Sequence, residues 1–220
     1  MLQAVAIHVE RHNLTYFPVP KTACTSIKNL MYELKFGVRF PNAHPELRRV
    51  RSIHRLKEGF LQESSPLQWQ NSTNFCFVRE PIARLLSAYV NRVLMYGQLS
   101  PERLVVKRKT RGLKPDPDLE EFLDNFQRYR RASFGIRHHT EPFVEFVGES
   151  PEHYARIFQP KDMKQFEDWM ANACGIKVTV PHLKKSNQKI SPDALSPRHL
   201  AMLKDFYRRD FQFMEAAKLL

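Results

Sequence analysis

Residues 14–34 read LTYFPVPKTACTSIKNLMYEL, and this stretch decides the fold. Its first six residues are mostly apolar or β-branched, which predicts a short buried strand over 14–19. A short loop, residues 20–26, follows the strand. The next apolar residues recur at the spacing of one helical face: Ile27, Leu30, Met31 and Leu34. The unit is therefore strand, loop, helix.

The same unit recurs at residues 73–89, which read TNFCFVREPIARLLSAY. Aromatic and β-branched residues predict a strand over 73–79, and Pro81 is a favoured first residue of a helix. Strands that alternate with helices predict an α/β fold with a central parallel sheet flanked by helices. Downstream we predict a helix over 119–129, a strand over 155–158, a helix over 162–174 ended by Gly175, a strand over 177–180 and mostly helix over 197–220.

The length of 220 residues and the hydrophobic content of 42% suit one folded core. We therefore expect a single domain over 1–220, with a mobile basic insertion at about 98–118. No apolar run approaches the roughly 18 residues of a membrane span, and the N-terminus lacks the basic start and cleavage site of a secretory signal. These features predict a cytoplasmic protein whose three cysteines are reduced.

The net charge of +12 predicts a polyanionic partner, either nucleic acid, an acidic glycan or a multiply charged nucleotide. Basic residues cluster at 48–57 and at 107–114. Neither cluster alternates with aromatic residues, as the stacking platforms for single-stranded nucleic acid do. Each cluster therefore has two interpretations, a solvated loop or part of an anion site.

The loop PKTACTS, residues 20–26, has the composition of an anion site. It brings hydroxyls, backbone N–H groups and the charge of Lys21 to the start of a helix, where the helix dipole favours a phosphate. It lacks the glycines of the Walker pattern, but Ala23 and Cys24 are small enough to replace glycine if the loop needs no positive φ. The structural alternative is that Thr25 or Ser26 merely caps the helix.

Two motifs carry a family resemblance. PKTACTS resembles the 5'-phosphosulfate motif of sulfotransferases that use 3'-phosphoadenosine 5'-phosphosulfate (PAPS), and VREPIARLLSAY resembles their 3'-phosphate motif. The chain is most similar to the Golgi carbohydrate sulfotransferases of the HNK-1, chondroitin and dermatan group, and more distantly to the heparan sulfate and uronyl 2-O enzymes. Residues 181–186 and 206–211 resemble late segments of that group. Because no membrane anchor or stem is visible, the resemblance implies a bacterial-type soluble relative with a P-loop-like fold.

The resemblance implies roles for individual residues. Lys21 would lie beside the oxygen that bridges phosphate and sulfate, and Arg79 with Ser87 would hold the 3'-phosphate. Lys185 would lie in a late loop that closes over the nucleotide. The 5'-phosphate would be held by the remaining loop residues: Thr22, Ala23, Cys24, Thr25 and Ser26. This scheme requires no metal, and no histidine spacing in the sequence indicates one.

The catalytic base is predicted among the histidines, because an acceptor hydroxyl must lose its proton as it attacks. His54 is the first candidate, since it precedes Arg79 in the segment where the 2-O enzymes carry their catalytic histidine. Its alternative is a surface position among arginines. His139 and Glu141, in the sequence RHHTEPF, are second choices, with a polar loop as their alternative.

The predicted function is direct in-line transfer of a sulfuryl group from PAPS to a carbohydrate hydroxyl. An acidic acceptor would suit the basic cluster at 48–57 beside His54. Two other functions stay open at this point. One is a P-loop-type kinase that uses ATP, and the other is a basic nucleic-acid-binding domain without catalysis. The sequence predicts no membrane span, and it leaves the oligomeric state open.

Overall fold

The structure is a computed structural model, and it describes residues 5–40, 53–56, 59–104, 110, 112–180 and 190–220. Within these residues five strands form one sheet in the order β3-β1-β2-β4-β5. The strands are β1 Val5–Val9, β2 Leu14–Phe17, β3 Gln62–Glu63, β4 Thr73–Phe77 and β5 Arg156–Phe158.

Nine α-helices lie in the same described part of the chain. Both predicted strand–loop–helix units are confirmed, since β2 leads into α1 and β4 leads into α2. None of the described helices is long and apolar enough to cross a membrane. The helices are α1 Cys24–Phe36, α2 Pro81–Tyr89, α3 Leu119–Asp124, α4 Phe126–Ala132, α5 Phe134–Thr140, α6 Val144–Val147, α7 Met163–Cys174, α8 Pro197–Phe206 and α9 Arg208–Ala216.

Three strands of the sheet are parallel, as predicted. Tyr16 of β2 lies opposite Phe75 of β4, and β4 pairs in turn with β5. The antiparallel edge formed by β1 and β3 was not predicted. β1 turns back into β2 through Asn13, whose φ of 49° is left-handed, a conformation that asparagine adopts more readily than most residues. The fold is therefore α/β with a mixed central sheet.

Two segments differ from their predictions. The single helix expected over 119–129 is broken at Asn125, whose side chain donates to Glu121 Oε1 at 2.9 Å and whose backbone leaves the helical conformation. The strand expected over 177–180 does not form, because the Val180 N–H donates to Glu167 Oε1 at 2.8 Å instead of to a neighbouring strand. Val178 is nevertheless buried, so the apolar pattern there marks core packing without a strand.

The chain divides into two compact units. The first contains Met1–Arg79, Phe143–Lys185 and Phe213–Leu220, and the second contains Glu80–Pro142 and Ser186–Gln212. The single domain predicted for 1–220 therefore stays a prediction. So does the mobile insertion at about 98–118, of which 105–109 and 111 lie outside the described residues. Three leucines of that segment are buried in the core of the second unit: Leu99, Leu104 and Leu113.

Both faces of the sheet are covered within the first unit. Tyr16 and Phe75 pack into one apolar cluster with residues of α1 and α7. Phe17 and Cys76, which alternate with them along the strands, pack into a second cluster with residues of α6. Burial on both faces explains why the central strands are apolar at nearly every position. The polar residues of the two motifs therefore lie at the carboxyl ends of these strands, where each motif begins.

Candidate functional site

Among the residues that the structure describes, no side chain at the N-cap position of α1 caps the helix. Its N-cap position is Ala23, which offers no side-chain acceptor. Thr25 and Ser26 lie inside the first turn, so neither caps the helix and the structural alternative for them is wrong. The first N–H groups of a helix have no partner within the helix, and an uncapped N-terminus therefore favours an anion.

The loop before α1 adopts a strained backbone conformation. The φ angles of Lys21 and Ala23 are 69° and 66°, in the left-handed region that normally favours glycine. The condition under which Ala23 was expected to replace glycine, a loop without a positive φ, is therefore not met. Each such residue costs on the order of 1 kcal/mol, and strain of this kind concentrates at functional sites. Thr22 is fully buried between the two, and its hydroxyl donates to Val19 O at 2.9 Å, which holds the turn in place.

His54 reaches this loop from a distant part of the sequence. Its Nε2 lies 2.9 Å from Thr25 Oγ1, in the first turn of α1. It belongs to a short 3-10 helix, Ile53–Arg55, and the flanking Ile53 and Leu56 are buried in the core beside α1. The imidazole itself is exposed. The buried side chains of Ile53 and Leu56 thus hold the accessible His54 imidazole beside the loop at residues 20–26.

Lys28 is a charged residue of this region that the sequence reasoning missed. It lies one helical turn after Cys24, and only 6% of its surface is exposed. Burial lowers the pKa of Lys28, while the nearby Cys24 thiol acts in the opposite direction. The burial of Lys28 could have been predicted from helical spacing, because a residue one turn before the buried Met31 lies on the inward-facing side of α1.

Arg79 follows β4 at the equivalent point of the second motif, and it is partly buried. The preceding Val78 N–H donates to Phe158 O at 2.9 Å, which holds this strand end against β5. The helix that comes next is already capped, because the Glu80 carboxylate accepts from Ile82 N at 3.1 Å and Ala83 N at 2.6 Å. A phosphate near this motif would therefore be attracted by the charge of Arg79 and not by the dipole of α2.

The comparisons with known proteins agree with both motifs. The sequence profile described as "Sulfotransferase family" matches residues 6–215, from β1 into α9. The chain belongs to this sulfotransferase family. Carbohydrate sulfotransferase 14 from Homo sapiens is 31% identical over 183 residues, which cover 73% of the chain and 45% of the relative.

Two further relatives of this sulfotransferase-family chain carry the same description. Carbohydrate sulfotransferase 14 from Danio rerio is 34% identical over 140 residues, covering 60% of the chain and 36% of the relative. The Mus musculus protein is 27% identical over 161 residues, covering 69% of the chain and 36% of the relative. The chain thus spans less than half the length of these curated relatives. No solved structure matches it significantly.

The second unit of this sulfotransferase-family member carries Ser87 and Arg84 on α2. Ser87 is partly buried there. Arg84 is fully buried and lies 3.8 Å from the equally buried Asp210. It also donates to the backbone oxygens of His139, at 3.4 Å, and Glu141. Arg84 therefore organises the interior of the second unit.

The second-choice bases, His139 and Glu141, are held by arginines. His139 Nδ1 donates to Gly135 O at 2.8 Å, which leaves Nε2 to accept from Arg92. Glu141 Oε2 accepts from Arg130 at 2.7 Å. A proton taken up at His139 Nε2 would displace the Arg92 guanidinium, which can only donate, and protonation of Glu141 would weaken its ion pair with Arg130. The Thr25 hydroxyl beside His54 Nε2 can instead rotate away or accept. The geometry therefore favours His54 over both as the base.

Some predicted site residues cannot be placed. Lys185 and most of the two basic clusters lie outside the described residues. Among the residues that are described, no group of three or more His, Cys, Asp and Glu side chains is arranged to hold a metal.

Proposed function

We propose that the chain transfers a sulfuryl group from PAPS to a hydroxyl of a carbohydrate. The observation that carries the proposal is the 2.9 Å contact of His54 Nε2 with Thr25 Oγ1, because it brings a proton acceptor to the loop that resembles the 5'-phosphosulfate motif. A base and an anion site at one helix start are the two components that sulfuryl transfer needs.

The donor fits the loop at the start of α1. The uncapped helix start suits the 5'-phosphate, and the left-handed turns at Lys21 and Ala23 shape the backbone around it. The Thr22 hydroxyl is engaged with Val19 O, so Thr22 would contact phosphate through its backbone. In the first turn of α1, Cys24, Thr25 and Ser26 would complete the contacts to the 5'-phosphate.

The 3'-phosphate requires cations of its own. Arg79 supplies the charge at the end of β4, where Glu80 already occupies the start of α2. By the motif, Ser87 contributes a hydroxyl, and by the wider family resemblance Lys185 would contact the nucleotide from the late loop. A guanidinium suits this role because it can bind two phosphate oxygens at once.

The reaction we propose is a direct displacement at sulfur. The acceptor oxygen forms a bond to sulfur as the bond from sulfur to the bridging oxygen breaks, and the acceptor proton passes to His54 Nε2. Negative charge grows on the leaving phosphate, where Lys21 stabilises the transition state more than the ground state. The Thr25 hydroxyl holds His54 Nε2 before the acceptor arrives, and it then releases this nitrogen to the acceptor hydroxyl.

Calorimetry tests the class of the proposed enzyme. We expect 3'-phosphoadenosine 5'-phosphate (PAP) to bind at least about tenfold more tightly than AMP, since the added phosphate gains a charge-assisted contact with Arg79. The preference should fall in Arg79→Ala and persist in Arg11→Ala, an exposed arginine of the same unit. Equal affinities for PAP and AMP would overturn the proposal. Tighter binding of ATP with Mg²⁺ than of PAP would favour a kinase.

A further inference from the structure

The second unit carries an exposed surface that the proposed donor chemistry does not use. We call it the aromatic surface and define it by Arg92, Tyr96, Phe134, Arg137 and His138. The Phe134 side chain is 64% exposed and that of Tyr96 is 44% exposed. Large aromatic side chains this exposed cost free energy in water, and clusters of them mark binding sites.

Each exposed ring of the aromatic surface has an arginine beside it. The Arg92 guanidinium lies 5.4 Å from the centre of the Tyr96 ring, and the Arg137 guanidinium lies 5.6 Å from that of Phe134. His138 stacks on Phe134 at 5.9 Å with an interplanar angle of 17°. Cation–π attraction operates at these distances and holds each cation next to its ring.

The backbone beneath the aromatic surface is held in place. Arg92 donates to His139 Nε2, and His139 Nδ1 donates in turn to Gly135 O at 2.8 Å. The Gln98 amide packs against Gly135, where an added Cβ would force the Gln98 side chain to move. The segment that carries Arg92, Val90–Met95, is a π-helix, a conformation often found at functional sites. The rings and cations are therefore presented on a preorganised base.

We propose that the aromatic surface binds acidic sugar residues of the glycan acceptor, an inference that rests on the proposed function. One face of a pyranose ring is lined by C–H bonds and can pack on an aromatic ring. Phe134 and Tyr96 offer such rings. A uronate carboxylate carries the charge that the neighbouring arginine attracts. Within the described part of the chain, no carboxylate forms an ion pair with Arg137.

Binding of two oligosaccharides tests the inference. The first probe is a hyaluronan octasaccharide, an unsulfated chain with alternating uronates, and the second is its carboxyl-reduced form. We expect Phe134→Ala to weaken binding of both by about tenfold, since it removes the stacking ring. Arg137→Ala should weaken only the acidic probe. Lys204→Ala, which removes one exposed charge elsewhere in the same unit, should change neither appreciably.

The PAP affinity of each variant, measured alongside, separates the two proposals. A wild-type protein that prefers PAP to AMP but does not bind the octasaccharide overturns the inference and leaves the donor intact. So does octasaccharide binding that is insensitive to Phe134→Ala. If a single-stranded thymidine oligonucleotide binds instead, and Phe134→Ala abolishes that binding, the surface is a nucleic-acid site and the inference fails. A wild-type protein that binds PAP no more tightly than AMP would overturn the proposed function itself.

Discussion

Thr25 Oγ1 lies 2.9 Å from His54 Nε2, although 29 residues separate the two in sequence. We expect His54→Ala to lower kcat by about 10²–10⁴-fold, the usual contribution of a general base. The affinity for PAP should stay within a few fold, because the imidazole contacts the acceptor and not the phosphate. Transfer assays at saturating PAPS measure the first quantity and calorimetry the second.

His139→Gln is the matched control for His54. Glutamine keeps an acceptor for Arg92 but cannot act as a base at the same position. We expect kcat to fall less than in His54→Ala. If His139→Gln lost more activity than His54→Ala, the assignment of the base would be reversed.

Alanine substitutions of Lys21 and Arg79 should affect different quantities, kcat in the first case and the Kd for PAP in the second. Lys21→Ala should lower kcat by about 10³-fold or more, because the charge on the leaving phosphate is then unbalanced in the transition state. Arg79→Ala should mainly raise the Kd for PAP, by about tenfold to a hundredfold. Single-turnover kinetics with separate Kd measurements distinguish the two effects. Equal losses of kcat in both variants would contradict these separate roles.

The elements and motifs were predictable because their signals are local. Apolar and β-branched residues marked α1 and the strands β2 and β4, and Gly175 ended α7 with a φ of 68° as expected. The contact of His54 with Thr25 was not readable in the same way, because it depends on Ile53 and Leu56 packing into a core formed by distant residues. Local spacing carries no information about that packing.

The missed antiparallel edge of the sheet has a related cause. β1 reads VAIHV, an apolar run that gave no turn signal apart from Asn13. It pairs with β2 and with β3, and β3 is only Gln62–Glu63 and exposed. A two-residue edge strand leaves no periodic pattern in a sequence. Likewise, the buried positions Val178 and Val180 fit a strand or an irregular core segment equally well.

Substitutions of Ala23 test the backbone strain in the loop at residues 20–26. Glycine tolerates the φ of 66° without a Cβ penalty, so Ala23→Gly should be neutral or stabilising by up to about 1 kcal/mol and should keep PAP binding. Ala23→Val places a β-branched side chain in the same conformation and should lower both stability and PAP affinity. Urea unfolding and calorimetry measure the two. Full PAP affinity in Ala23→Val would show that the turn is not required.

His8 makes the stability of the first unit depend on pH. Burial, and next the charge of Lys35, lower the pKa of His8 from the ordinary 6.5. The unfolded chain therefore binds the proton first, and stability present above pH 6.5 is lost as the pH falls toward the folded pKa. His8→Asn, which can still bond Thr15, should lose less stability than wild type between about pH 7.5 and about pH 5.5 in urea unfolding. An unchanged loss would contradict this origin.

Arg84 and Asp210 provide the sharpest test of the second unit, because both side chains are fully buried. Arg84→Met should cost about 3–5 kcal/mol, since it removes a buried guanidinium from beside the buried Asp210 carboxylate. The control is Arg208→Met, which breaks an exposed pair with Asp205 and should cost less than about 1 kcal/mol. Urea unfolding of both variants, followed by circular dichroism, gives the comparison.

A double variant separates the buried charge from the hydrogen bonds of Arg84. Arg84→Met combined with Asp210→Leu removes both charges of this pair and should recover part of the lost stability. Recovery should stay incomplete, because the backbone oxygens of His139 and Glu141 lose the donor they share in the native protein. If the double variant were no more stable than Arg84→Met, the cost would lie in those hydrogen bonds and in packing against Tyr207, whose ring centre is 5.7 Å from the guanidinium. If Arg84→Met cost no more than Arg208→Met, the buried pair would not organise this unit.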